Sequence, residues 1–231
     1  ALPIFRSIEA RSRELERQVA ERTEELAAVN AIAAVVSRSL DLDDVLADAL
    51  DKTLEVMSIE AGGIYLLDEE AGVLTIAAQR GFSPELVTEI DRLKVGEGFS
   101  GRVARSGEPL VVTDVSEDPR LTRIAVQEEG LRSLAVVPLR AKGKVLGTLF
   151  AVTRGYRTFT DRDVQLLVSI GHQIGVAVEN AQLFEAEQRR AEQFRVISET
   201  GRRIASILAV DELLTQIVRL IRNTFDYYHV G

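Results

Sequence analysis

The sequence contains no cysteine and no tryptophan, and only two histidines and one methionine among 231 residues. Without cysteine the chain forms no disulfide, thiolate nucleophile, zinc–thiolate site or thioether bond to a chromophore. We interpret His172 as a helix-surface residue rather than a haem ligand, and His229 has no companion ligand nearby in the sequence. We therefore expect no metal site and no covalently attached cofactor.

The chain also lacks an excess of positive charge. Its 28 lysines and arginines are outnumbered by 36 aspartates and glutamates, which gives a formal net charge of −8 at pH 7. Because binding to a nucleic-acid backbone requires clustered basic residues, we expect no nucleic-acid partner. No segment approaches the roughly 18 consecutive apolar residues typical of a membrane span, so we expect no membrane contact and a cytoplasmic location.

Two segments show the heptad-like spacing of coiled coils, in which apolar residues recur alternately every three and four positions. The region between them has the size of one domain. A helix with a narrow apolar stripe requires a partner helix, so we predict a parallel homodimer. The predicted seam consists of Ile8, Leu15, Val19, Leu26, Val29, Val36 and Leu40 in the first segment, and of Ile170, Ile174, Ala177, Ala181 and Phe184 in the second.

Between these segments the patterns of helices and strands alternate. Asp41 and Ser83 are predicted to cap the first turns of two helices. A turn at residues 68–72 separates two apolar runs that predict a hairpin. Residues 133–139 and 145–153 are apolar on both faces, which predicts central strands that are covered on both sides of a sheet.

Several segments then resemble the GAF domain family of small-molecule sensors. They are Val95-Gly-Glu-Gly-Phe-Ser-Gly-Arg-Val-Ala-Arg-Ser-Gly-Glu-Pro-Leu, Asp114-Val115, Asp118-Pro119-Arg120, Ser133-Leu-Ala-Val-Val-Pro-Leu and Val145-Leu-Gly-Thr-Leu. The resemblance covers about residues 41–184. It implies an α+β fold, an α/β sandwich with a central antiparallel sheet of five or six strands. Long terminal helices of coiled-coil type flank the sheet on one face, and a ligand cavity lies on the other.

The division of the chain follows from this resemblance and from a weak internal repeat. Residues 1–40 are similar to the signalling helices that precede sensor modules in bacterial sensor histidine kinases, and residues 41–184 form the sensor domain. Residues 185–208 are a linker helix. Residues 42–46 match residues 210–214 in pattern, so 209–231 are either the truncated start of a second GAF-like domain or an amphipathic tail.

The resemblance does not identify a ligand, because one fold serves many functions. Covalent bilin attachment and thiol-dependent methionine sulfoxide reduction both require cysteine and are excluded. An unknown small molecule, if bound, is predicted to lie between residues 96–107 and the strand at 133–139. The predicted lining residues are Phe99, Asp114, Ile124, Leu134 and Val136. Arg102, Arg105, Arg120 and Arg123 suit an anionic ligand, but we interpret them as solvated surface residues.

We interpret the chain as a regulatory sensor module of a signal-transduction protein, with a sensor histidine kinase as the favoured context. It is expected to pass a conformational signal through its helices to a downstream output domain in the same polypeptide. The alternatives are a ligand-free dimerisation or spacer module, and the input domain of a diguanylate cyclase, phosphatase or transcriptional activator. No nucleophile–base pair or ATP-binding glycine box is visible, so we expect no catalysis within this chain.

Overall fold

The computed structural model describes residues 11, 15–19, 22, 23, 26, 27, 29–34, 41–123 and 125–225, with the backbone alone for 203–211 and 223–225. The described residues before position 35 are helical. Three predicted seam residues (Ile8, Val36 and Leu40) and one predicted cavity residue (Ile124) lie outside these ranges. No helix in the described ranges is long and apolar enough to cross a membrane.

From Asp41 onward, helices and strands alternate as the sequence patterns predict. In chain order the elements are α1 (Leu42–Met57), β1 (Ala61–Asp68), β2 (Val73–Arg80), α2 (Pro84–Ile90), β3 (Arg92–Lys94), α3 (Gly98–Ser106), β4 (Leu110–Val112), α4 (Ala125–Glu128), β5 (Ser133–Ala141), β6 (Lys144–Thr153) and α5 (Asp161–Phe225).

The strands form one six-stranded sheet in the order β3-β2-β1-β6-β5-β4. Every neighbouring pair is antiparallel. The two edge strands are only three residues long, which leaves few unpaired backbone groups at either edge. The predicted fold, an α+β protein with an antiparallel sheet of five or six strands and flanking helices, is confirmed.

The sheet separates two apolar layers because side chains on a strand point alternately to its two faces. On β5, Ala135, Val137 and Leu139 pack in a cluster with α1 and the first part of α5. Leu134 and Val136, on the other face, pack in a cluster with α2 and α3. Both faces of the central strands are thus covered, as their continuous apolar sequence predicts.

The predicted helix caps at Asp41 and Ser83 are present. The backbone N–H of Asp43 donates to Asp41 Oδ1 at 3.0 Å, and the N–H of Leu86 donates to Ser83 Oγ at 3.3 Å. Each oxygen thereby satisfies one of the first-turn donors that a helix leaves without a partner.

Some of the described N-terminal helical residues contact the globular part of their own chain. Ile32 is fully buried in the same cluster as Leu46 and Leu50 of α1. Leu26 and Val29 line a groove together with Ser169 and Gln173 of α5, so this stretch of the N-terminal helix lies beside the last helix. Leu15, Val19 and Leu26 are nevertheless 55%, 64% and 60% exposed.

The predicted seam residues of α5 divide into two groups. Ile170 and Ile174 are fully buried in the core cluster. Their assignment to a dimer seam is therefore corrected, since they pack on the sheet of their own chain. Ala177 is buried and Ala181 is partly buried, whereas Phe184 is 46% exposed. Sequence spacing does not separate these roles, because a core-facing stripe and a coiled-coil stripe have nearly the same period.

Residues 1–181 form one compact unit and residues 182–231 form another. The second unit is helical through Phe225, including the predicted linker at 185–208. Its exposed large apolar side chains are Leu183, Phe184, Phe194, Val196, Ile197, Leu213, Leu214, Ile217, Leu220 and Ile221.

Candidate ligand-binding cavity

A cavity of about 80 Å³ lies on the sheet face that carries α2 and α3. It is bounded by the sheet, the two helices and the segment that follows β4. The lining residues are Tyr65, Phe82, Leu86, Ile90, Leu93, Gly98, Phe99, Ser100, Val115, Leu121, Thr122, Arg123, Val126, Leu131, Leu134, Phe150 and Val152. The cavity therefore lies between the glycine-rich segment and β5, where the sequence analysis placed a ligand.

The floor of the cavity is aromatic. The ring centroids of Tyr65 and Phe150 are 5.4 Å apart, and those of Phe82 and Phe150 are 5.9 Å apart. The Tyr65 hydroxyl donates to the Ile90 carbonyl at 2.7 Å, and burial raises the pKa of this hydroxyl, so it stays protonated. Offset aromatic contacts and a fixed hydroxyl give this floor a defined shape.

Two glycines of the glycine-rich segment allow backbone conformations and close approaches that a residue with a Cβ would not. Gly98 has φ +57°, a conformation that residues with a Cβ rarely adopt. A Cβ at Gly101 would lie 2.4 Å from the Lys94 carbonyl oxygen. These two glycines let the chain turn tightly into α3, whose first residues then reach the cavity wall.

Of the five predicted lining residues, Phe99 and Leu134 line the cavity. Val136 is fully buried in the same apolar cluster but is not among the residues that surround the open space. Ile124 lies outside the described ranges. Asp114 does not line the cavity, and its assignment is corrected, because its carboxylate is held by hydrogen bonds elsewhere.

Those bonds come from both sides of the Asp114 carboxylate. The backbone N–H of Ser116 donates to Oδ1 at 2.9 Å, the Ser116 hydroxyl also donates to Oδ1, and the Tyr156 hydroxyl donates to Oδ2 at 2.8 Å. With Ser116 as the main cause, these bonds lower the pKa of Asp114 from 3.8 to about 2. Asp114 thus joins the loop after β4 to the loop after β6.

This hydrogen-bond network is expected to contribute to the loss of folding stability at low pH. A carboxyl whose pKa is lowered by folding stabilises the protein above its unfolded pKa, and this contribution disappears as the pH falls through the folded pKa. We expect Asp114→Asn to flatten the decline in the free energy of unfolding between about pH 4 and about pH 2. Tyr156→Phe, which removes one bond, should give an intermediate slope. Urea titrations at several pH values test this, and three identical slopes would contradict it.

The segment between β4 and β5, which borders the cavity, is anchored by polar contacts at two places. Near one end, the Ser83 hydroxyl donates to Glu129 Oε2 at 2.6 Å, and Arg154 Nη2 donates to Glu129 Oε1 at 3.1 Å. The bond from Ser83 is the main reason that the pKa of Glu129 is lowered. Near the other end, Arg123 Nη2 donates to Glu97 Oε1 at 2.9 Å. Polar contacts between surface groups therefore anchor this segment beside the cavity, in addition to its apolar packing.

Arg123 has a further feature that sequence reasoning missed. Among the described residues, two buried side-chain atoms have no hydrogen-bond partner, Arg123 Nε and Thr148 Oγ1. Only Arg123 belongs to the cavity lining. The sequence analysis interprets Arg123 as a solvated surface residue, and its side chain is 32% exposed, but its Nε–H is a buried donor without an acceptor. No sequence signal distinguishes Arg123 from Arg102 or Arg105, since the burial of its Nε depends on the course of the loop in the folded chain.

Ser100 is a second polar residue at the cavity. Its residue is only 6% exposed, and it belongs to the cavity lining. Ser100 lies in the first turn of α3, and the residue that precedes this helix, Glu97, provides no side-chain cap. The N–H groups of such a first turn lack partners within the helix.

No group of three or more His, Cys, Asp or Glu residues that could hold a metal ion occurs in the ranges described above. The described residues of the cavity lining include no carboxylate and no histidine. What the lining provides is an apolar surface with a few hydrogen-bond donors, which is the composition of a site that binds a small molecule non-covalently.

Comparison with known proteins agrees with this geometry. A model of the GAF domain family matches residues 39–179. A Nif-specific regulatory protein of Azospirillum lipoferum is 32% identical over 183 residues, covering 76% of this chain and 29% of the relative. The sensor histidine kinase YhcY of Bacillus subtilis is 25% identical over 223 residues, covering 87% of this chain and 59% of the relative. The chain thus spans less than two thirds of either relative.

The fold also occurs in solved structures. The GAF domain of a phosphoenolpyruvate-protein phosphotransferase from Coxiella burnetii superimposes with a TM-score of 0.64, covering 71% of this chain and 98% of that domain. The two sequences are 22% identical, so this likeness concerns the fold alone.

Proposed function

The chain belongs to the GAF domain family, and from this premise we propose that it is a regulatory sensor module that binds a small molecule non-covalently in the cavity. The observation that carries this proposal is a buried, unpartnered donor, Arg123 Nε–H, on a residue that lines an apolar cavity. A spacer module without a ligand would be expected to fill this space with its own side chains. Catalysis, in this proposal, belongs to another domain.

We propose β5 as the element that couples the cavity to α5. Leu134 of β5 lines the cavity, and the far end of the same strand contacts α5 on the opposite face of the sheet. A Cβ at Gly171 would lie 2.7 Å from the Pro138 carbonyl oxygen, and His172 Nδ1 lies 3.0 Å from the Arg140 carbonyl oxygen. Because helix and strand touch backbone to backbone, a shift of β5 on ligand binding displaces α5.

A ligand can change this equilibrium only if it binds the two arrangements with different affinity. We propose that the readout is a change in the packing of helices between two protomers. The exposed seam residues Leu15, Val19 and Leu26 support a parallel homodimer, since they do not contribute to the core of their own chain. An output domain elsewhere in the polypeptide would receive this change.

The output domain is inferred from the relatives, which differ in kind. One is described as a Nif-specific regulatory protein and another as a sensor histidine kinase. We propose a sensor histidine kinase or a transcriptional regulator as the whole protein.

We further propose that residues 209–231 begin a second unit of the same kind. In α1, Val45, Leu46 and Ala49 are buried against the sheet. The positions that match them in the internal repeat, Leu213, Leu214 and Ile217, are apolar and exposed. An amphipathic tail is the alternative.

Native mass spectrometry of the purified chain tests the sensor proposal and the dimer together. We expect a dimer that retains a small molecule. Leu15→Lys with Leu26→Lys should shift the population to monomer, because two charges in a seam repel their counterparts, while the fold survives since both positions are exposed. An unchanged mass would show that the N-terminal helix is not the seam. A ligand-free chain that also binds nothing from a metabolite library would favour the spacer module.

A further inference from the structure

Resting on the proposed sensor function, we infer that the ligand is a small, mainly apolar molecule with one carboxylate group, and that the carboxylate binds at Arg123, Ser100 and the first turn of α3. The inference concerns the chemical class of the ligand. It follows from which hydrogen-bonding groups at the cavity are already used and which are not.

Among the described residues, the buried side-chain atom of the cavity lining that lacks a hydrogen-bond partner is a donor. Arg123 Nε–H is buried and unpartnered, while Nη2 of the same side chain is occupied by Glu97 Oε1 at 2.9 Å and the Arg92 carbonyl oxygen at 3.3 Å. The guanidinium is therefore anchored through Nη2, while its Nε–H remains a buried donor without an acceptor. A buried donor without an acceptor is costly, so a group that supplies the acceptor is stabilised there.

The start of α3 adds donors of the same kind. Gly98, Phe99 and Ser100 are buried and line the cavity. Their N–H groups lie in the first turn, where a helix has no internal acceptors, and no side chain caps this helix. Ser100, which is only 6% exposed, adds a hydroxyl at the same end of the helix. A helix N-terminus with such a hydroxyl favours an anion.

The remaining chemistry of the wall selects a carboxylate over a neutral polar group. An amide or alcohol brings donors of its own, and the described lining offers hydroxyl oxygens such as those of Ser100 and Thr122, but no carboxylate, to accept them. The Tyr65 hydroxyl already donates to Ile90. An ionised carboxylate has only acceptors, about four lone-pair sites, and so matches an excess of donors.

The apolar remainder of the wall defines the rest of the ligand. Leu86, Ile90 and Leu121 lie on the helical side, and Leu134 and Phe150 form the floor. No second charged side chain besides Arg123 is part of the described lining. One polar end and one short hydrocarbon end therefore fit the cavity, whose volume of about 80 Å³ limits the ligand to a small molecule.

The experiment uses the complete 231-residue chain and matched pairs of probes. Propanoate, 3-methylbutanoate, 4-methylpentanoate and benzoate are each compared with the corresponding primary amide by isothermal titration calorimetry and thermal shift at neutral pH. We expect at least one carboxylate to bind about tenfold or more tightly than its amide, the difference that about one additional charged hydrogen bond gives.

Two variants assign that preference to the proposed groups. Arg123→Lys keeps the positive charge beside Glu97 but removes the Nε donor, and Ser100→Ala removes the hydroxyl with little change in shape. Each should reduce carboxylate affinity about fivefold or more and leave amide binding unchanged. Arg102→Lys, on the exposed side of α3, is the matched control and should bind the carboxylate as the unchanged chain does.

Three outcomes would overturn the inference. The amides could bind as tightly as the acids, both variants could bind the acids normally, or no carboxylate could bind at all, in which case ordered water satisfies the donors. The sensor proposal has a separate test. A retained molecule without a carboxyl group in the native mass spectrum would support the sensor and exclude this ligand class.

Discussion

Ile174→Ala is expected to lower the free energy of unfolding by about 2–5 kcal/mol, the usual cost of removing a buried isoleucine side chain down to Cβ. Ile174 is fully buried between α5 and the sheet. The loss should therefore be the same at every protein concentration, since no partner chain is involved. Phe184→Ala, on the exposed continuation of the same helix, should change the stability of the globular unit very little.

Urea unfolding at low and at high protein concentration measures this difference. A residue of a dimer seam stabilises through association, so its loss appears as a change in concentration dependence. If Ile174→Ala altered only the dimer dissociation constant, α5 would have to leave the sheet in solution. The proposed coupling between β5 and α5 would then be wrong.

Gly175→Ala is expected to destabilise the chain by about 3 kcal/mol or more, the upper range for an added group that the surroundings cannot accommodate. A Cβ at this position would lie 2.5 Å from the carbonyl oxygen and 2.6 Å from the nitrogen of Arg140. These are backbone atoms within β5, so a change of rotamer cannot relieve the contact. The helix has to move away from the strand.

The same α5 helix contains a matched control. A Cβ at Gly201 would meet nothing within 4 Å. Gly201→Ala should therefore stabilise its unit by about 0.5–1 kcal/mol through helix propensity. The two substitutions are chemically identical, but their expected effects on stability are opposite in sign. Comparing them therefore isolates the effect of the contact with β5. Circular dichroism during thermal unfolding measures both, and equal effects would mean that the close contact at Gly175 is absent.

Gly175→Ala also tests signal transmission. If β5 and α5 move together, separating them should uncouple ligand binding from the oligomeric state, while the cavity on the opposite face keeps its lining. The variant should then still bind a ligand at reduced stability. If the variant lost both ligand binding and its fold, the contact would have a structural role, and the proposed role in signal transmission would be unsupported.

Much of this architecture follows from local patterns. The caps at Asp41 and Ser83 could be predicted because a short polar side chain before an apolar helical stripe satisfies first-turn donors within a few residues. The hairpin around residues 68–72 and the doubly covered strands β5 and β6 follow from the spacing of apolar residues. These signals require no knowledge of distant contacts, so the sequence alone was sufficient.

The functional assignments show what local sequence patterns do not determine. Ile174 and Phe184 belong to one heptad-like stripe, yet one lies in the core and the other is exposed. Asp114 and Arg123 both belong to polar loop sequence, yet Asp114 is held by Ser116 and Tyr156 while Arg123 reaches the cavity. Partners more than a few residues away determine each outcome, and sequence spacing does not encode them.

The order of residues along the chain was enough to predict the fold class, to exclude thiol chemistry and to predict a cavity between the glycine-rich segment and β5. These depend on residue type and on short-range periodicity. Which face of a helix meets the sheet, which carboxylate is occupied, and which arginine retains a buried, unpartnered Nε–H depended on the packing of segments far apart in the chain. Burial and hydrogen-bond satisfaction are properties of that packing, and only the tertiary structure supplies them.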